Sequence, residues 1–300
     1  MLCRFPLVLL GSLLLVAGVG RAEESDFLSG GVKIHYRVEG QGEPVLLIHG
    51  FAATVYLQWV YPGILRALAR DHRVIAMDVR GHGQSDKPTD TDKYGTEMVE
   101  DAVRLLDHLK IPKAHVVGYS MGAVITGKLL ATHPDRLLSA TLGGAGIVLE
   151  GGKLPPFVDP LAASLEEGKG LEPLLTYLTP PGKPKLSPTA LQIANRSLVG
   201  GNSKALLAVV RSWKKLSVRK EQLRANQVPT LALIGEIDPL KEYIDHIQND
   251  MANLKVVVID GADHFTTCSS PKFIRTLRQF LSEQAQQRKE RKKAPAAAGK

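Results

Sequence analysis

Short apolar runs, each closed by a turn residue and separated by stretches of helical periodicity, constrain this chain more than any other feature. Residues 45–48 (Val-Leu-Leu-Ile) stop at His49-Gly50, and 74–77 stop at Asp78. Residues 114–117 stop at Gly118, 137–142 at Gly143-Gly144, 230–234 at Gly235 and 255–259 at Asp260-Gly261. Runs this short, without polar alternation, read as strands buried on both faces. Residues 32–38 alternate instead and predict an antiparallel strand ahead of them. Between the runs, residues 95–109, 122–131 and 271–281 place apolar side chains at helical spacing, as with Phe273, Ile274, Leu277 and Phe280. Strand and helix in alternation specify the α/β class, a mostly parallel sheet with helices on both faces.

One stretch breaks the rhythm. Residues 146–226 hold no buried-strand run but many prolines (Pro155, Pro156, Pro160, Pro173, Pro180, Pro181, Pro184, Pro188), with helical segments at 161–167 and 205–216. They read as a helical lid insertion into a core made of 23–145 and 227–283. The ends differ again. Arg4, an apolar run over 7–19 and Gly20-Arg21-Ala22 read as a signal peptide over 1–22, which predicts a secreted or periplasmic protein. That run is shorter than the roughly 20 residues a spanning helix needs. Residues 284–300, rich in Gln, Lys, Arg and Ala, read as a basic disordered tail.

The formal charge of +8 collects in these two ends. The body is left near neutral, so the composition predicts no nucleic-acid partner and no specific membrane partner. Cys3 lies in the leader, which leaves Cys268 alone as a packed thiol with no internal disulfide. With 44% hydrophobic residues the body can bury a core without one.

The chemistry gathers where predicted strands end. Gly118-Tyr119-Ser120-Met121-Gly122 follows one strand and opens a helix. A strand-to-helix turn that sharp strains the serine backbone and lifts its hydroxyl above the sheet. A serine hydroxyl needs a base, and a histidine base needs a carboxylate to orient it. His264, just past the last strand, is the candidate base. Asp238, just past the preceding strand, is the candidate carboxylate, with Glu236 as its rival. The oxyanion formed by such a nucleophile needs two N–H donors. Met121, at the helix N-terminus, and Phe51, after His49-Gly50, are the candidates. His49, Asp263 and the segment from Asp78 to Asp86 read as structural. Trp59, Tyr56 and Tyr119 read as core or pocket wall.

On these motifs the sequence resembles the α/β-hydrolase superfamily over about residues 31–282. It is most similar to the lidded, epoxide-hydrolase-like branch, but carries Ser120 where that branch's epoxide and haloalkane members carry Asp. The resemblance implies a serine hydrolase of the carboxylesterase type, acting on a small-molecule ester through an acyl-enzyme, with no metal or organic cofactor. A carbon–carbon bond hydrolase, a lactonase and a perhydrolase remain open on the same triad. A non-catalytic binding member of the fold is the reading from another class.

Overall fold

The computed structural model describes residues 22–293, so the expected signal peptide lies outside the described residues apart from its last position. Eight strands are β1 (Glu23–Ser29), β2 (Val32–Glu39), β3 (Glu43–Ile48), β4 (His72–Met77), β5 (Ala114–Tyr119), β6 (Leu137–Gly143), β7 (Thr230–Gly235) and β8 (Leu254–Ile259). They form one sheet in the order β1-β2-β4-β3-β5-β6-β7-β8. β2 is antiparallel to β1 and β4, and every pairing from β4 through β3 to β8 is parallel.

Alternate residues of the central strands feed two separate apolar layers. Leu46, Ile48, Val116 and Ile234 join α2 (Thr96–His108) and α3 (Met121–Thr132) on one face. Val45, Leu47, Val117 and Leu233 join α1 (Ile64–Leu68) and the C-terminal helix Pro271–Lys293 on the other. A strand sandwiched this way has no solvent side, which is why its sequence shows no alternation.

Between β6 and β7 the chain forms no strand, and its α-helices are α4 (Val158–Glu166), α5 (Glu172–Leu178), α6 (Pro188–Ala194), α7 (Ser203–Ser212) and α8 (Lys220–Arg224). The two ends of this insertion touch, with Val218 N–H donating to Val148 O at 2.9 Å and Glu150 N–H to Val218 O at 2.9 Å. It therefore leaves and rejoins the sheet at one place. After β7 come α9 (Lys241–Asp245), α10 (His264–Thr267) and α11 (Pro271–Lys293).

Two expectations need correction. Strand β1 is not foreseen in the apolar pattern, because as a sheet edge it is mostly exposed and carries Glu23, Glu24 and Asp26. Its register is set by charge as well as backbone, with Arg37 Nη1 bonded to Glu24 at 2.9 Å and His35 Nδ1 to Asp26 at 2.8 Å. The expected disordered tail from residue 284 is also wrong through Lys293, since α11 continues that far. Gln, Lys, Arg, Glu and Ala are good helix formers. Gln284 is buried, and Arg288 Nη2 donates to Glu43 at 2.6 Å.

Candidate active site

Ser120 sits between β5 and α3 with φ 54° and ψ −119°, a left-handed conformation rare for a residue with a side chain. Its N–H is tied to Gly143 O at 2.7 Å, and its carbonyl accepts from Ala123 N–H at 2.9 Å. The flanking glycines are required by close approach. A Cβ on Gly118 would stand 2.0 Å from Gly122 O, and one on Gly122 would stand 2.0 Å from Ile48 O. The turn is thus clamped between β3 and its own helix, and the Ser120 hydroxyl emerges at the C-terminal rim of the sheet.

His264 and Asp238 reach the same rim from the ends of β8 and β7. Ile237 N–H donates to Ala262 O at 3.1 Å, which ties the two loops together. His264 Nε2 lies 3.0 Å from Ser120 Oγ, and its Nδ1 lies 2.9 Å from Asp238 Oδ2. Asp238 Oδ1 is held by Leu240 N–H at 2.9 Å. An ionised carboxylate only accepts, so Nδ1 carries the ring proton and Nε2 is free to accept from the serine hydroxyl. Both His264 and Asp238 are buried.

The structure therefore brings Ser120, His264 and Asp238 together and leaves Glu236 out, since Glu236 accepts from Gly261 N–H at 2.8 Å and is exposed. The Phe51 and Met121 N–H groups have no acceptor among the described residues. Gly50 places the first of them beside the serine: a Cβ there would meet Ser120 Cβ at 3.2 Å. Met121 is the first residue of α3, where the helix dipole adds to the pull on a negative oxygen.

The residues expected to be structural all make hydrogen bonds within the fold. His49 Nδ1 bonds to Gly50 O at 2.7 Å and its Nε2 accepts from Val79 N–H at 3.0 Å. Burial pushes this ring below the ordinary imidazole range, against the opposing pull of the Asp78 carboxylate. Asp263 caps α10, accepting from Phe265 N–H at 3.1 Å and Thr266 N–H at 2.9 Å. Asp78 accepts from Val55 N–H and Gln84 N–H, each at 2.8 Å, and Arg80 is buried in a two-point pair with Asp101 at 2.6 Å. Burial pushes the Cys268 thiol up to about 12 despite a hydrogen bond from Gln58. Trp59 is core, and Tyr56 bonds to Glu24 at the edge of the sheet.

Tyr119 has a function that the motif alone does not reveal. Its hydroxyl donates to the backbone carbonyl of His264 and so fixes the loop that carries this histidine.

Around these groups lies a cavity of about 320 Å³. The insertion supplies Phe157, Leu174, Leu178 and Trp213 to its wall, and the core supplies Phe51 and Val124. No Asp, Glu, Lys or Arg side chain lines it. Trp213 and Phe157 meet edge to face at 6.1 Å, and Trp213 meets Phe51 at 5.2 Å. The sequence marks these wall residues only as apolar positions in helices. Among the described residues no group of three His, Cys, Asp or Glu side chains could hold a metal ion.

Comparison with known proteins agrees with this architecture. The family model described as "alpha/beta hydrolase fold" matches residues 43–180. The chain is 38% identical over 120 residues to the dihydrolipoyllysine-residue acetyltransferase component of the acetoin cleaving system of Pseudomonas putida, which is 39% of this chain and 31% of that protein. It is 34% identical over 125 residues to 2-hydroxymuconate semialdehyde hydrolase of a Pseudomonas species, 41% of this chain and 44% of that protein. The chain thus matches less than half the length of either curated relative. The enol-lactonase of Burkholderia xenovorans superposes with a TM-score of 0.73 at 22% identity, covering 86% of this chain and 100% of that one. By its sheet order, by that superposition and by the family match, the chain has the α/β-hydrolase fold.

Proposed function

We propose that this protein is a serine hydrolase that cleaves carboxylic esters of apolar acids through an acyl-enzyme. The observation that carries the reading is His264, bonded on one side to Ser120 Oγ and on the other to Asp238, at the floor of an apolar cavity. Ser120 Oγ attacks the ester carbonyl and its proton passes to His264 Nε2. Asp238 stays ionised and stabilises the imidazolium. The oxyanion is met by the Phe51 and Met121 N–H groups, which spend no backbone hydrogen bond on the fold among the described residues. Collapse breaks the bond to the alcohol, which takes the proton back from His264. Water, deprotonated by the same nitrogen, then attacks the acyl carbon and releases the acid and Ser120.

Two features favour this reaction over others found on the same fold. A hydroxyl attacking an epoxide carbon would leave an ether, which water does not reopen, whereas a carboxylate nucleophile would leave an ester. The cavity also offers no cation to hold a carboxylate-bearing substrate, and a buried unpaired charge is costly. An uncharged ester fits it better than an acidic ring-cleavage product.

The test is a panel of nitrophenyl esters of graded chain length, with a lactone and a vinylogous diketone, run beside fluorophosphonate labelling. Wild-type protein should be labelled and should turn over the esters fastest, and Ser120→Ala should lose both properties. Labelling that persists in Ser120→Ala would rule the mechanism out.

A further inference from the structure

Beside the apolar cavity lies a second hollow of about 390 Å³, and the two share Ala52, Ala53, Leu57 and Leu198 as wall. Ala52 and Ala53 of this shared wall follow directly on Phe51, so the boundary between the hollows lies beside the proposed oxyanion donor. The second hollow differs in chemistry. Thr54, Lys87, Ser197 and Asn202 line it, and Lys87, Ser197 and the adjoining Gly200 and Gly201 are exposed. It is an open groove with a polar rim, where the first cavity is lined by apolar side chains.

We propose that this groove binds the alcohol half of the ester and that the alcohol is a hydroxylated, glycerol-like group. The assignment rests on the ester-hydrolase reading and adds the substrate class. Which half goes where follows from the order of events. The acyl half stays bonded to Ser120 until water arrives, so it belongs in the apolar cavity. The alcohol leaves first, and only a site open to solvent lets it go and lets water follow.

The polar complement follows from the hydrogen bonds already made. Asn202 Nδ2 donates to Gly81 O at 2.6 Å, which leaves its Oδ1 as a free acceptor. Lys87 Nζ donates to Gly83 O at 2.6 Å and Ser85 O at 2.8 Å, which leaves one of its three hydrogens. Thr54 Oγ1 accepts from Leu57 N–H at 3.2 Å, which leaves its own hydrogen to donate. A site offering both donors and an acceptor suits hydroxyl groups, which do both. An apolar alcohol would strip water from these groups and return nothing.

The experiment holds the acid constant and varies the alcohol: glyceryl, ethyl and hexyl octanoate, with wild-type protein, Ser197→Phe and Thr54→Val. Ser197 is exposed, so the phenyl ring can narrow the groove without entering the core. Wild-type kcat/KM should be at least tenfold higher for the glyceryl than for the hexyl ester. Ser197→Phe should cut the glyceryl-to-ethyl ratio at least fivefold, and Thr54→Val should cut it in the same direction by less. Ester turnover without alcohol preference overturns the groove assignment alone. So does a Ser197→Phe variant that changes preference among acids while leaving the alcohol ratio in place. Absence of any ester turnover, together with no labelling of Ser120, overturns the ester reading and the groove assignment with it.

Discussion

At Ser120 a positive φ is held by contacts that leave no spare room, and the consequences are testable one residue at a time. Gly122 lies so close to Ile48 O that a methyl group must push α3 away from β3. Gly122→Ala should therefore destabilise the fold by about 3 kcal/mol or more, read as a drop in the urea midpoint, in line with overpacking at a rigid backbone contact. Asp238→Asn should spare the fold and cost activity instead. The Asn side-chain oxygen can still accept from Leu240 N–H, so the melting temperature should stay within a few degrees. The proton on His264 is no longer held on Nδ1, and kcat on a nitrophenyl ester should fall by about 10⁴. A variant that keeps more than a tenth of wild-type turnover would remove Asp238 from the mechanism.

Among the elements, α10 is short and depends on its cap. Burial pushes the Asp263 carboxyl up, but the Lys183 ammonium at 2.6 Å and the Thr266 hydroxyl and N–H outweigh it and hold it down at about 2. A carboxyl depressed in the fold adds stability that is complete above its unfolded range near 4 and is lost as pH falls through about 2. Asp263→Ala should cost about 1 kcal/mol at pH 7, within the usual range for a cap. Its deficit against wild type in thermal unfolding should shrink from pH 5 to pH 2.5. A deficit that does not change with pH would mean that the ionised carboxylate is not what holds the helix. The same scale explains what could be foreseen. Runs such as 45–48 and 230–234 were legible because burial on both faces erases alternation. Ser120, Asp238 and His264 were legible because each lies in the turn just past an apolar run, although β8, the run before His264, is an edge strand only partly buried. Strand β1 was not, since an edge strand carrying Glu23, Glu24 and Asp26 has no apolar signature. Nor was the role of Tyr119, because its bond to the His264 carbonyl spans 145 residues of chain. Helices α5, α6 and α8 are short, and α6 buries no residue, so periodicity had little to report.

At the scale of the whole molecule, the active rim and the opposite end of the sheet are stabilised by different means. The rim depends on loops tied to one another. The far end, where β3 and β5 begin, is closed by the last turns of α11. Arg288 Nη2 reaches Glu43 at 2.6 Å and His115 at 3.1 Å, and His115 Nδ1 in turn bonds to Ser139 Oγ at 2.6 Å on β6. One helix end thus joins three strands. His115, with Nε2 3.6 Å away, lowers the Glu43 carboxyl, burial raises it, Arg288 lowers it further, and the balance is about 2. Glu43 is more than a third exposed, so solvent screens the pair and its contribution is only about 1 kcal/mol. A chain ending at Glu283 should therefore keep the proposed ester turnover and lose roughly 2–4 °C in melting temperature at pH 7. Part of that loss should disappear by pH 3, where Glu43 begins to take up its proton in the intact chain. If residues 284–293 were a solvated tail, removing them would leave the melting temperature unchanged at both pH values.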